Sequence, residues 1–182
     1  MKGYFRFPTI YKDQIVFVCE DNLWKVTLNN LNAIRLTVNS SPVTTPLFSP
    51  DGKYIAYVGR EDGNTEVYIM PSNGGVSKRL TYDGAFISKI ASWDSDNIVY
   101  ASDLNQHCMR ICDLRKVNIQ GGESMSLKYG IASNISYSEK WTVIGRNTQD
   151  PARWKRYKGG TAGELWIAKK NAFDYKKLIH LK

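Results

Sequence analysis

The chain is 182 residues long, 42% hydrophobic and 12% aromatic, and its 25 Lys and Arg residues against 17 Asp and Glu give a net charge of +8. Apolar content at this level supports a buried core and excludes wholesale disorder or a low-complexity chain. No run approaches the roughly 18 to 20 apolar residues of a membrane-spanning helix, and the start, with Lys2, Arg6 and Pro8, lacks the apolar block of a secretory signal. The expectation is therefore a cytoplasmic protein without a membrane partner.

Short β-branched and aromatic runs follow one another along the chain. The first is Ile15-Val16-Phe17-Val18, succeeded by Leu23-Trp24-Lys25-Val26 and Ile34-Arg35-Leu36-Thr37. The second group opens with Leu47-Phe48 and the turn Ser49-Pro50-Asp51-Gly52, where Pro presets φ and Gly accepts a positive one. It continues as Ile55-Ala56-Tyr57-Val58, Val67-Tyr68-Ile69-Met70 and Lys78-Arg79-Leu80-Thr81. A third group has Ile98-Val99-Tyr100-Ala101 and a strand expected over Met109-Arg110-Ile111-Cys112; a fourth has Thr142-Val143-Ile144 and Leu165-Trp166-Ile167-Ala168. The groups recur every 40 to 45 residues or so, and no window carries a helical apolar stripe between caps.

Tandem units of four short antiparallel strands at this period are what a β-propeller requires, because each small sheet buries its faces only against its neighbours. The fold class expected is all-β, with blades at about residues 4–37, 43–81, 86–127 and 132–181 and no catalytic domain. Four blades are therefore expected.

The blade turn Ser49 to Tyr57, followed by Glu66 to Met70 and Arg79-Leu80-Thr81, resembles the repeat of TolB-type and WD-like propellers. Two further segments, Gly3 to Ile10 with Ile15 to Trp24, and Gly145-Arg146-Asn147-Thr148 through Asp150 to Ile167, resemble the N-terminal propeller of Tricorn-type serine peptidases. That resemblance implies a large cytosolic peptidase that trims oligopeptides, with a six-bladed propeller, a second propeller, a PDZ-like domain and a catalytic region bearing the nucleophilic serine and its histidine. None of that catalytic region lies in these residues. The resemblance thus implies a non-catalytic segment that shapes access of oligopeptides to, or exit of products from, a chamber built elsewhere. The alternative is a stand-alone or TolB-like propeller serving as a protein-interaction scaffold.

The residues themselves offer little chemistry. His107 and His180 are the sole histidines, neither in a catalytic motif, and Gly-x-Ser-x-Gly and the phosphate-binding loop pattern are absent. Cys19, Cys108 and Cys112 have the spacing of neither a disulfide framework nor a zinc site and read as small hydrophobes. Asp94, Asp96 and Asp103 read as turn and strand-end residues. No cofactor and no metal is expected.

Charge is concentrated at one end of the chain. Residues 151–182 hold 9 basic and 2 acidic residues, 9 − 2 = +7, whereas residues 1–150 hold 16 and 15, 16 − 15 = +1. The same region contains the longest interval between second and third strands, twenty residues from Ile144 to Leu165, against four between Val18 and Leu23 and eight between Val58 and Val67. Connections this long are uncommon in compact domains and tend to carry function. Arg146, Arg153, Lys155, Arg156 and Lys158 would attract carboxylates such as peptide C-termini, with Trp154 and Tyr157 adding apolar and cation–π contact; docking against a neighbouring domain is the other use of such a loop. An almost neutral remainder argues against nucleic acid, which needs a wider basic surface. Lys169-Lys170 and Lys176-Lys177 suit outer strands, where lysine discourages edge pairing. The partners expected are peptides or neighbouring domains and subunits of an oligomeric peptidase.

Overall fold

In a computed structural model of the chain, residues 3–86, 88–108, 111–148, 159 and 162–178 are described. They form four antiparallel sheets of four strands each, every sheet built from consecutive strands. The first holds β1 (Arg6–Tyr11), β2 (Gln14–Cys19), β3 (Asn22–Thr27) and β4 (Asn30–Arg35). The second holds β5 (Thr44–Phe48), β6 (Tyr54–Gly59), β7 (Glu66–Pro71) and β8 (Lys78–Arg79). The third holds β9 (Ser88–Asp94), β10 (Asn97–Ser102), β11 (Asp113–Asn118) and β12 (Met125–Ile131), and the fourth β13 (Asn134–Tyr137), β14 (Trp141–Arg146), β15 (Glu164–Lys169) and β16 (Lys176–Lys177). These are propeller blades, as the repeat period requires.

One strand lies elsewhere than its sequence suggests. The third strand of blade three spans Asp113–Asn118, after the Met109 to Cys112 run, of which Met109 and Arg110 fall outside the described residues. Its register with β10, Ser102 opposite Asp113 and Asn97 opposite Asn118, brings Leu114 and Val117 into the core. The apolar run is the misleading signal: Cys112 is buried just before the strand begins. Asp94 ends β9, Asp96 sits in the turn to β10, and Asp103 follows β10.

Alternation of side chains along the central strands buries both faces of a blade. Val16, Val18 and Leu23 of blade one meet Ile55, Tyr57 and Met70 of blade two. Ala56, Val58 and Val67 on the reverse side of blade two meet Ile98, Tyr100 and Val117. Val99, Ala101 and Leu114 then meet Ile135 and Ile144 of blade four. Burying one such side chain contributes about 1.5–3 kcal/mol, so the seams hold the arc together.

The first strand of each sheet is the innermost, since β1 touches β5, β5 touches β9, and β9 touches β13. Polar contacts one repeat apart set the spacing of these strands. The Ile90 N–H donates to Thr45 Oγ1 at 3.1 Å, the Trp93 indole to the Leu47 carbonyl at 3.4 Å, and Lys89 Nζ to Asn134 Oδ1 at 3.0 Å. At the periphery of blades one and two, Lys25 Nζ reaches the Ser72 carbonyl at 2.9 Å and Asn73 Oδ1 at 3.2 Å.

Candidate functional site

In an up-and-down blade, the turn between second and third strands lies at the same end as the connection to the next blade. This end therefore gathers the described residues 20–21, 60–65, 103–108, 111–112, 147–148 and 162–163, together with the starts of the inner strands. A buried lock organises it. In blade one, Asn22 at the start of β3 accepts hydrogen bonds from Thr37 Oγ1 (3.0 Å) and the Asn39 N–H (2.8 Å), while the Leu23 N–H donates to Thr37 Oγ1 (2.9 Å). In blade two the equivalent Glu66 accepts from Thr81 Oγ1 (2.5 Å), the Gly84 N–H (2.9 Å), the Asp83 N–H (3.1 Å) and Arg79 Nη2 (3.0 Å). Each lock pins the chain leaving the outer strand, so that it turns inward to start the next blade.

The lock of blade two extends into blade three. Asp83 accepts from Tyr100 Oη at 2.6 Å and Ser124 Oγ at 2.9 Å, and Arg115 donates to the Ser124 carbonyl at 3.1 Å. Burial first, then the bond to Asp83, raises the Tyr100 pKa above the ordinary tyrosine range. Arg79 also pairs with Asp62 and lies 4.3 Å from the ring centroid of the exposed Tyr82.

Blade four departs from this pattern because its turn is long. Of the residues expected to contact peptide, Arg146 ends β14; Arg153, Trp154, Lys155, Arg156, Tyr157 and Lys158 lie outside the described residues. The Arg146 guanidinium stands 4.8 Å from the Trp166 ring centroid and donates from Nη2 to the Tyr129 carbonyl of blade three at 3.5 Å. Glu164 accepts from Trp166 Nε1 at 2.9 Å and Lys177 Nζ at 2.6 Å, and the Lys177 bond leads the causes that lower its pKa. Arg146 thus sits at the root of the long turn, stacked on its own blade and reaching the outer strand of blade three.

A polar chain that no sequence motif announces holds the inner side of the same root. Lys89 reaches Asn134, whose amide donates to Thr148 Oγ1 at 2.5 Å, and Ser133 Oγ shares a hydrogen bond with Thr148 Oγ1 at 3.0 Å. Burial holds the Lys89 ammonium below the usual lysine range. Lys89 and Asn134 are 45 positions apart, so superposing the repeats was the available signal. Thr148 also occupies the space over Gly145, where an added Cβ would stand 2.6 Å from its Oγ1.

Among the described residues no group of three or more His, Cys, Asp or Glu side chains could hold a metal ion. No helix among them is long and apolar enough to cross a membrane. The family model of the Tricorn protease N-terminal beta propeller domain matches residues 2–182. The chain belongs to the Tricorn N-terminal propeller family. A Tricorn protease homolog of Saccharolobus solfataricus is 33% identical over 188 residues, covering 100% of this chain and 17% of that protein. A Tricorn-like protease N-terminal subunit of Sulfurisphaera tokodaii is 34% identical, covering 92% of this chain and 88% of that protein. A crystal structure of the tricorn protease superposes with a TM-score of 0.86 at 30% identity, over 100% of this chain and 19% of that one. A TolB structure from Agrobacterium tumefaciens, at 17% identity and a TM-score of 0.75 over 98% of this chain and 63% of that one, shares the fold alone. This Tricorn-family chain accordingly spans about a sixth of the length of its long relatives and most of the short one.

Proposed function

We propose that this chain is the non-catalytic propeller segment of a cytoplasmic Tricorn-type serine peptidase, in which it shapes the path of oligopeptides to, or of products from, a catalytic chamber built by other domains or subunits. The observation that carries this reading is the similarity to a Tricorn-like protease N-terminal subunit over 92% of this chain and 88% of that protein, together with the family match over residues 2–182. The reaction itself is left to residues outside this segment, where a nucleophile, its base and an orienting group would have to meet.

The contribution of this segment is recognition at the loop end. Arg153, Lys155, Arg156 and Lys158, beside Trp154 and Tyr157, supply cations and aromatic faces for peptide carboxylates, and Arg146 anchors the base of their turn against Trp166. Charge reversal at Arg153 and Arg156 in the assembled peptidase tests the reading. Turnover of acidic peptides should drop while that of neutral peptides is retained; equal kinetics for both classes would sink the idea.

A further inference from the structure

Every connection that leaves a strand of blade two carries the same kind of dipeptide. Asp51-Gly52 joins β5 to β6, Asp62-Gly63 lies between β6 and β7, Asn73-Gly74 between β7 and β8, and Asp83-Gly84 between β8 and β9. The sequence has no other Asp-Gly or Asn-Gly pair. A glycine in this place leaves its backbone nitrogen unhindered by a Cβ, so the nitrogen can attack the carbonyl carbon of the preceding side chain and close a five-membered imide.

Three of the four pairs are protected by their carboxylates. An ionised carboxylate is a poor electrophile, and each of these is occupied as an acceptor. Asp51 accepts from Ser49 Oγ at 2.7 Å and the Lys53 N–H at 3.1 Å, with Lys53 Nζ at 3.2 Å, and the Ser49 hydroxyl leads the donors that hold its pKa down to about 2. Asp62 pairs with Arg79, and Asp83 accepts from Tyr100 Oη and Ser124 Oγ.

Asn73 is the exception, an exposed neutral amide with an ammonium beside it. Lys25 Nζ of blade one donates to Asn73 Oδ1 at 3.2 Å and to the Ser72 carbonyl at 2.9 Å, both neutral acceptors. A cationic donor at Oδ1 draws electron density from Cγ and stabilises the negative charge that gathers on the oxygen during attack.

We propose that Asn73 is a site of self-deamidation whose product carboxylate is captured by Lys25 across the seam between blades one and two. The Gly74 nitrogen gives its proton to solvent and bonds to Cγ of Asn73; the Cγ–Nδ2 bond breaks and ammonia leaves. Water then opens the imide at one of its two carbonyls, to aspartate or isoaspartate. The net change is amide plus water to carboxylate plus ammonium, with nothing oxidised or reduced. Lys25 thereby exchanges a neutral acceptor for an anion, as Lys53 already has in Asp51. In the folded chain the Gly74 N–H donates to the Pro71 carbonyl at 3.0 Å, so attack waits on the opening of that turn and the reaction is slow.

Peptide mapping by mass spectrometry, on the full chain held folded or in urea in mildly alkaline buffer, tests the site. Asn73 should gain the mass of the acid ahead of every other asparagine, faster in urea than in the fold, while Asp51, Asp62 and Asp83 form no isoaspartate in the folded chain. Lys25→Met should slow the folded-state reaction several-fold and leave the rate in urea unchanged. Asn73→Asp, which carries the product from the outset, should melt about 1–4 °C above the parent chain at low salt, and the gain should vanish at high salt or with Lys25→Met. Another asparagine reacting first in the folded chain, absence of the melting gain, or indifference of the folded-state rate to Lys25→Met overturns the proposal.

Discussion

Glu66 is 1% exposed and owes its tolerance in the interior to four donors, one of them the Arg79 guanidinium. A buried carboxylate so fully satisfied is costly to remove, since its donors are left without acceptors. Glu66→Ala should cost about 3–5 kcal/mol in urea unfolding, and Asn22→Ala, with its neutral lock, about 1–3 kcal/mol. Equal losses at the two sites would show that the charge on Glu66 contributes nothing beyond its hydrogen bonds. The three thiols divide by position: Cys108 is exposed, Cys19 and Cys112 are buried, and burial pushes the Cys112 thiol up to about 11. In the native protein a thiol reagent should therefore label Cys108 rapidly and the other two only upon unfolding. Tyr100 shares the alkaline pH dependence with Cys112 and with Tyr57, Tyr68, Tyr137 and Tyr175, whose pKa values burial also raises. The folded pKa of Tyr100 is raised above the unfolded value of about 10, so its contribution is fully present below that pH and is lost as pH rises toward the folded value. Denaturation midpoints should decline as pH rises above about 9, where Cys112 begins to contribute, and more steeply above about 10, and Tyr100→Phe should flatten the steeper part.

At the scale of an element, a tight turn and a strand each depend on a glycine, for different reasons. Gly52 has φ +73° in the Pro-Asp-Gly turn, and a Cβ there would enter the Tyr11 ring of the neighbouring blade. Gly145 has an ordinary backbone and is crowded by Thr148. Gly145→Ala should destabilise by about 1–3 kcal/mol, and Thr148→Ala in the same chain should recover part of that loss; additive effects in a double-mutant cycle would refute the contact. The hydrophobic periods and the Pro-Asp-Gly turn made most of these strands legible, because a strand buried on two faces leaves an unbroken apolar run. The same signal misplaced the third strand of blade three, where Ile111 and Cys112 are apolar for the sake of a loop packed inward. Lys89 and Asn134 were illegible for the opposite reason: single polar residues within ordinary strands acquire meaning only when two blades bring them to 3.0 Å.

For the whole molecule, the net +8 is a neutral scaffold carrying one cationic segment, and long-range attraction for a polyanion depends on a broad field of charge. A labelled single strand of nucleic acid should accordingly show no retention at physiological salt; retention there would overturn the assignment of the cations to peptide or docking. By itself the sequence determined the repeat period, the all-β class, the count of four blades and the family, since each of these is written in local runs and turns that survive without knowledge of what they touch. Only the tertiary structure decided which polar residues lock one blade to the next and that Arg146 stacks on Trp166 at the root of its turn. Those properties belong to pairs of side chains tens of residues apart, and their energies arise from burial and hydrogen bonding that exist only once the sheets are stacked.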